Sequence, residues 1–173
     1  GLLRIEPHSP TLRERIWWGA GSDATAVWTA AQGMNLMSST LKIDESGKPF
    51  HIQQAEQIRA FRDEWARHDH GFTPRVSVSR SVIPLTTDQG RADFGVAGER
   101  SDQIGQLDEN TRAIFGRSYT DEPDNLVTQL AKDEALREAD TVLLTVPNQL
   151  GVDFNAHLME SFIKHVAPGL GWR

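Results

Sequence analysis

The segment over residues 15–41, RIWWGAGSDATAVWTAAQGMNLMSSTL, constrains the fold more than any other part of this chain. Its apolar residues 16–18 indicate a buried strand, which the glycine-bearing turn at residues 19–22 follows directly. A short helix and a second strand over residues 36–41 come next. A strand that leads through a helix into another strand is the repeating unit of parallel α/β sheets. The segment therefore predicts the α/β class.

The turn itself predicts an anion-binding site. Gly19 and Gly21 let a ligand approach the backbone closely, and Ser22 or Asp23 can cap the helix. The first-turn N–H groups of a helix lack partners within it, and the helix dipole adds positive potential there. If the Ser22 hydroxyl turns outward, it bonds a phosphate instead of capping. We expect a phosphate-bearing cofactor, with a tight turn that binds no ligand as the alternative.

One class of cofactor that fits this turn is a dinucleotide. Gly19, Gly21 and Ala24 match the pattern G-x-G-x-x-G/A, and Asp44 lies about twenty residues further on, where a ribose-binding acid occurs. However, the second strand ends near residues 38–40, and Asp44 falls in the polar loop that follows. An NAD(P)-binding Rossmann oxidoreductase is therefore the second hypothesis.

The residues around the turn resemble a different family. Residues 20–41 are similar to the fifth strand, fifth helix and sixth strand of the bacterial-luciferase-like flavin-dependent monooxygenases. The likeness continues in chain order, upstream at residues 7–10 and downstream at residues 141–151 and 165–168, which are similar to the family's last strand and last helix. The resemblance implies a (β/α)8 TIM barrel with the flavin at the C-terminal ends of the strands.

The resemblance also implies a function and a set of cofactor-binding residues. Such an enzyme uses reduced FMN and O2 to oxygenate a small organic substrate, and a flavin reductase can supply the reduced flavin. One branch of the family binds F420 and transfers hydride instead. The positions that match the family's phosphate-binding turn are Ala20, Gly21, Ser22 and Thr25. Ser22 and Thr25 are three residues apart and share one helix face, so their hydroxyls can converge on one phosphate. The luciferases have an acidic residue where Gly21 stands, a difference that concerns light emission more than flavin binding.

The length of the chain indicates half a barrel. The chain has 173 residues, whereas a (β/α)8 barrel has about 250, and the four strands predicted here correspond to the family's last four. We therefore expect one C-terminal half-barrel domain over residues 1–173, with catalytic residues that are unknown and lie largely in a missing N-terminal half. A half-barrel exposes edge strands and an apolar sheet face, so we expect a homo-oligomer or pairing with that missing half. A non-catalytic half-barrel partner subunit remains an alternative.

Beyond the turn, the chain continues to alternate between helix and strand. The predicted helices cover residues 53–68, a segment that starts near Pro123, and residues 154–166. The first of them carries a buried stripe of Ile58, Phe61 and Trp65. The predicted strands cover residues 75–83 and 141–146, and the second is expected to be buried on both faces. In the strand over 75–83, valines and serines alternate, which predicts valines under the helices and serines inside the barrel. Arg80 shares the valines' parity, and we expect it to be salt-bridged or solvated, with a phosphate or an acidic substrate as the alternative partner.

Residues 86–116 show no convincing periodicity and contain five glycines. They follow the third predicted strand at the catalytic end, where luciferase-like enzymes often carry a mobile lid. A long segment without secondary structure in a compact domain is usually functional or disordered. We therefore predict a flexible lid over residues 86–116 that shields the flavin from water, with a plain disordered insertion as the alternative.

Composition excludes several other classes of protein. A net charge of −6 without a basic stripe argues against nucleic acid as a partner. No apolar run approaches the ~20 residues of a membrane span, so we expect no membrane partner and a cytoplasmic location. The chain has no cysteine, which excludes disulfides and thiolate metal ligands. His68 and His70 lack further ligands at suitable spacing, so we predict no metal site.

Overall fold

The structure is a computed structural model that describes residues 6–43, 46–95, 101–109 and 111–172. Helices separate the strands of its main sheet, as the sequence predicts, although some shorter strands follow one another directly. In chain order the elements are β1 (Trp17–Ala20), α1 (Asp23–Ala31), β2 (Asn35–Ser38), β3 (Leu41–Ile43), α2 (Phe50–Trp65), β4 (Val76–Arg80), β5 (Val82–Pro84), α3 (Asp88–Phe94), β6 (Gln103–Gln106), β7 (Arg112–Phe115), β8 (Tyr119–Asp121), α4 (Pro123–Leu130), α5 (Glu134–Glu138), β9 (Thr141–Leu144) and α6 (Gly151–Ser161). A π-helical turn, Phe162–Val166, continues α6.

The main sheet consists of four parallel strands in the order β1, β2, β4 and β9. Helix α1 lies between β1 and β2 in the chain, α2 lies between β2 and β4, and α4 and α5 precede β9. Spatial order follows chain order without a reversal among the described strands. Strands succeed one another in this way in a (β/α)8 barrel, whereas a Rossmann sheet reverses its order at a switch point. Asp44, which the Rossmann hypothesis requires, lies outside the described residues.

One face of the main sheet is covered by helices. We call this side of the sheet the covered face. Ala20, Leu36, Val76 and Val78 on it are fully buried, whereas Trp18 of the edge strand β1 is 43% exposed. The four buried side chains share one core with the predicted stripe of α2, which comprises Ile58, Phe61 and Trp65. The expectation that the valines of β4 pack beneath helices is confirmed, because Val76 and Val78 are fully buried in this core.

The opposite face of the main sheet is not covered in the same way. We call this side the bare face. Gly19 and Leu143 on it are exposed and Met37 and Ser79 are half-buried, whereas Asn35 and Ser77 are buried. The serines of β4 lie on this side, as their parity predicts, and Ser77 is the buried one. The expectation that β9 is buried on both faces is wrong, since Leu143 is 41% exposed. Strand β9 lies at the edge of the described sheet, where β4 alone pairs with it.

Two predicted strands are each divided in the structure. The strand expected over residues 36–41 is β2 followed by β3, and β3 pairs with β7 in a separate antiparallel sheet. The strand expected over residues 75–83 is β4 followed by β5, and β5 pairs in parallel with β8. In both cases the first part belongs to the main sheet, whereas the second part pairs with a strand that comes later in the sequence. Apolar alternation alone does not reveal such a change of partner.

The segment over residues 86–116 is not structureless in its described parts. Helix α3 begins after Thr87, whose side chain accepts the Gly90 N–H. Strands β6 and β7 form a hairpin that adds to β3. Ala113 and Ile114 of β7 are buried and anchor this three-stranded sheet. The expectation of a segment without secondary structure is therefore wrong there, because strands this short carry too little periodicity to be recognised. Residues 96–100 and 110 lie outside the described chain.

Within the described ranges, no helix combines the length and apolar character needed to cross a membrane.

Candidate functional site

The turn after β1 lies where the sequence analysis places it, and its first residue has a structural role. Ala20 is the last residue of β1, and its side chain is fully buried on the covered face. Its carbonyl oxygen accepts the Ser39 N–H at 3.1 Å and the Gln57 side-chain amide at 3.3 Å. Because Gln57 also accepts the Ser38 hydroxyl at 2.7 Å, helix α2 fixes the ends of both β1 and β2. Ala20 therefore positions the turn, and its side chain does not face a ligand.

Ser22 and Thr25 come together at the start of α1. Ser22 is the N-cap, and its Oγ accepts the Thr25 backbone N–H at 3.2 Å. The two hydroxyl oxygens lie 2.9 Å apart, so one of them donates to the other. A pair of hydroxyls has two protons, and this contact uses one, which leaves one available to an acceptor outside the pair. Capping and ligand binding by Ser22 are therefore compatible in this geometry.

Gly21 leaves space beside the turn. Its carbonyl oxygen accepts the Ile43 N–H at 3.2 Å, which ties the turn to β3. A Cβ added at Gly21 would lie 3.7 Å from Leu41 Cδ1, an ordinary van der Waals contact, and its φ is not positive. Neither packing nor backbone conformation requires a glycine at this position. If the start of α1 binds a ligand, a glycine at this position leaves room for it.

A cavity of about 290 Å³ lies against the start of α1. Its cationic group is Lys42 of β3, which is only 4% exposed. The Lys42 ammonium pairs with the carboxylate of Asp23, whose side chain is 62% exposed. The backbone N–H groups of Asp23 and Ala24, which also line the cavity, have no acceptor within the described part of the chain. The Glu56 carboxylate also lines the cavity and is paired with Lys48. An anion that displaces Asp23 from Lys42 would therefore meet a buried cation at the start of a helix.

Lys42 is a candidate site residue that the sequence analysis missed. It faces inward because β3 pairs with β7, where Lys42 lies opposite the buried Ile114. Strand β7 belongs to the segment that we expected to lack secondary structure. The only local signal is the alternation Leu41, Lys42, Ile43, which does not indicate which side of the strand is buried. The position of Lys42 therefore depends on a pairing between residues distant in sequence.

A second polar cluster lies at the end of β4. Arg80 is 3% exposed, and its guanidinium makes two hydrogen bonds to Asp133, at 2.7 Å from Nε and 2.9 Å from Nη2. The Tyr119 hydroxyl donates to the same carboxylate at 2.7 Å, and Asp133 also caps α5 by accepting the Leu136 N–H at 3.1 Å. The expectation of a salt-bridged arginine is confirmed, in a buried rather than a solvated position. The cluster joins β4, β8 and α5.

The protonation states in this cluster follow from burial and from the Arg80 charge. Burial raises the pKa of Asp133, but the hydrogen bonds and charge of Arg80 and the bond from Tyr119 outweigh it, and the net pKa lies below its usual value. Burial, together with the charge of Asp133, raises the pKa of Tyr119 to about 12. At neutral pH Asp133 is therefore an ionised acceptor and Tyr119 a neutral donor.

Comparisons with known proteins give no family for this chain. No family model matches the sequence, and no curated protein matches it either. Among the described residues, no group of three or more histidines and carboxylates could hold a metal ion. The class that the structure defines is an α/β protein with a parallel sheet whose strands lie in chain order.

Proposed function

We propose that this chain is a flavin-binding half of a (β/α)8 barrel, from an FMN-dependent monooxygenase or oxidoreductase of the luciferase-like type. Reduced FMN would supply the electrons with which O2 oxygenates a small organic substrate. The observation that carries the proposal is the Ser22–Thr25 hydroxyl pair at the end of β1, beside the buried ammonium of Lys42.

The start of α1 supplies the donors that a phosphate group requires. The N–H groups of Asp23 and Ala24 and the remaining proton of the Ser22–Thr25 pair can all donate to phosphate oxygens. Lys42 would pair with the phosphate in place of the Asp23 carboxylate. Asp23 is exposed enough to turn into solvent, so this exchange needs no change in the backbone.

Two features of the main sheet support the barrel half of the proposal. The strands lie in chain order, as they do around a (β/α)8 barrel. The bare face consists of small and apolar residues rather than charged ones, which suits the packed interior of a closed barrel. We infer that a second polypeptide segment covers this face, either a second copy of the chain or an N-terminal half-barrel.

The position of β7 supports the predicted lid role of residues 86–116. Strand β7 pairs with β3, which carries Lys42 at the cavity beside α1. In the proposal the segment excludes water from the flavin, the usual role of such lids. Limited proteolysis tests this role: bound FMN should slow cleavage within residues 86–116, and an unchanged rate would exclude it.

FMN titration followed by flavin fluorescence tests the proposal as a whole. Ser22→Ala, Thr25→Ala and Lys42→Met should each weaken FMN binding about tenfold, since a hydrogen bond to a charged group contributes about 1.5–3 kcal/mol. Thr128→Ala is the matched control, because this exposed helical hydroxyl lines neither cavity. Equal FMN affinity in the test and control variants would contradict the proposal. A parallel titration with F420 distinguishes the two flavin branches.

A further inference from the structure

A second cavity, of about 330 Å³, lies at the end of β4, next to the first residues of α2 and the end of α4. Arg80, Tyr119 and Asp133 line it, and two more cationic side chains join them, Arg117 and Lys132. None of these residues lines the cavity beside α1. The cavity therefore has no part in the flavin site proposed above.

The two carboxylates that line this cavity each have partners within the protein. Asp133 is paired with Arg80 and accepts the Tyr119 hydroxyl. Asp102 accepts the backbone N–H of Phe50 at 2.8 Å and that of Arg117 at 3.2 Å. Against these two carboxylates, the described lining carries three cationic side chains, those of Arg80, Arg117 and Lys132. The cavity is therefore cationic on balance, which favours an anionic ligand.

The cationic groups are arranged at two depths. The Arg80 guanidinium is buried, and it lies over the Phe50 ring at 5.5 Å from the ring centroid. Nearer the surface, the half-buried Arg117 guanidinium lies 4.4 Å above the ring of Tyr119, which limits its orientations. Lys132 is exposed at the rim. A planar guanidinium held against an aromatic ring is a typical oxyanion receptor, because its N–H groups match two oxygens at once.

We propose that this cavity binds a small organic molecule through an oxyanion group, a phosphate monoester or a carboxylate. Arg117 and Lys132 contact the oxyanion, while the rings of Phe50 and Tyr119 contact the organic part. The volume exceeds that of a bare phosphate and falls within the range of small-molecule sites. The net charge of the chain is −6, so a cation-rich cavity is not a consequence of overall composition.

The test is an NMR titration of the ¹⁵N-labelled chain with glycerol 3-phosphate, with glycerate and, as the uncharged comparison, with glycerol. We expect shift changes at the amides of Phe50, Arg117 and Lys132 with at least one of the two anions and none with glycerol. Whichever anion binds more tightly identifies the preferred oxyanion. Shift changes at the start of α1 would report binding of the phosphate ester at the proposed flavin site, which recognises the same group, and they are scored separately from those at Phe50, Arg117 and Lys132.

Variants decide whether the cationic side chains are responsible. Arg117→Met and Lys132→Met should each weaken anion binding at least about tenfold, whereas Lys164→Met should not change it. Lys164 is an exposed lysine outside the cavity, and Lys132 is itself exposed, so neither substitution should affect folding. The proposal is overturned if neither anion binds, if glycerol produces the same shifts, or if Lys132→Met binds the anion as tightly as Lys164→Met.

Discussion

The two faces of the main sheet differ in what covers them, although the same four strands supply both. Leu36 on the covered face is fully buried, whereas Leu143 on the bare face is 41% exposed. The bare face nevertheless lacks the charged side chains typical of a solvated sheet surface, and carries Gly19, Met37 and Ser79. Parallel sheets are normally covered on both faces. The comparison supports the proposal that another polypeptide segment covers the bare face.

The largest effect is expected from Asp133→Ala. Arg80 lies on the same side of β4 as Val76 and Val78 of the covered face, and among the described residues Asp133 is its only ion-pair partner. An uncompensated buried guanidinium should lower the free energy of unfolding by about 3–5 kcal/mol. Urea denaturation measures this change, with Asp63→Ala at an exposed position as the control. A loss no larger than that of the control would mean that water reaches Arg80 and that this end of the covered face is open.

Alanine substitutions of one leucine on each face test the comparison directly. Leu36→Ala should lower the free energy of unfolding by about 2–5 kcal/mol, since it removes a fully buried side chain from the core. Leu143→Ala should change the free energy of unfolding of the isolated chain by about 0.5 kcal/mol. The two variants are compared by urea denaturation at low protein concentration. Similar losses would show that the bare face is as well packed as the covered one.

The pH dependence of stability follows from Asp133. Because its folded-state pKa is lowered, it binds a proton less readily in the folded chain than in the unfolded chain. The stability that it contributes is present above its unfolded-state pKa and is lost as the pH falls through its folded-state pKa. Urea denaturation from neutral to acidic pH should show this loss in the wild-type chain. Asp133→Asn should show a shallower decline, and an equal slope would assign the acid sensitivity to other carboxylates.

Association of the chain should depend on the bare face. We expect the wild-type chain to associate at high concentration, and Leu143→Lys to shift it towards the monomer, because a charge at this position opposes apolar contact. Light scattering coupled to size-exclusion chromatography gives the mass of each. Lys substitution at the exposed Ala92 of α3 is the matched control. A wild-type chain that stays monomeric would contradict self-association.

Only a small effect on stability is expected at Gly21, which follows β1 directly. Gly21→Ala should change the free energy of unfolding by less than about 1 kcal/mol, since the added Cβ meets only ordinary contacts. FMN affinity should nevertheless fall, because the methyl group occupies space beside the start of α1. Thermal unfolding and FMN titration of the same variant separate the two effects. Unchanged affinity would mean that no ligand approaches Gly21.

The sequence predicted those parts of the structure that depend on neighbours along the chain. The strand, turn and helix at residues 16–31 and the buried stripe of α2 follow from local periodicity, and the structure contains both. The inward position of Lys42 and the pairing of Arg80 with Asp133 depend on contacts between distant residues, and sequence pattern gave no partner for either. Ser22 was ambiguous for another reason: capping a helix and binding a phosphate use the same hydroxyl.

The difference in affinity between FMN and riboflavin is the most direct test of the central claim, that the turn after β1 holds the flavin phosphate. The two flavins share the ring system and differ in the phosphate alone. If the start of α1 and Lys42 bind that group, FMN should bind at least about tenfold more tightly than riboflavin, and Lys42→Met should remove most of this difference. Equal affinity for the two flavins in the wild-type chain would contradict the account.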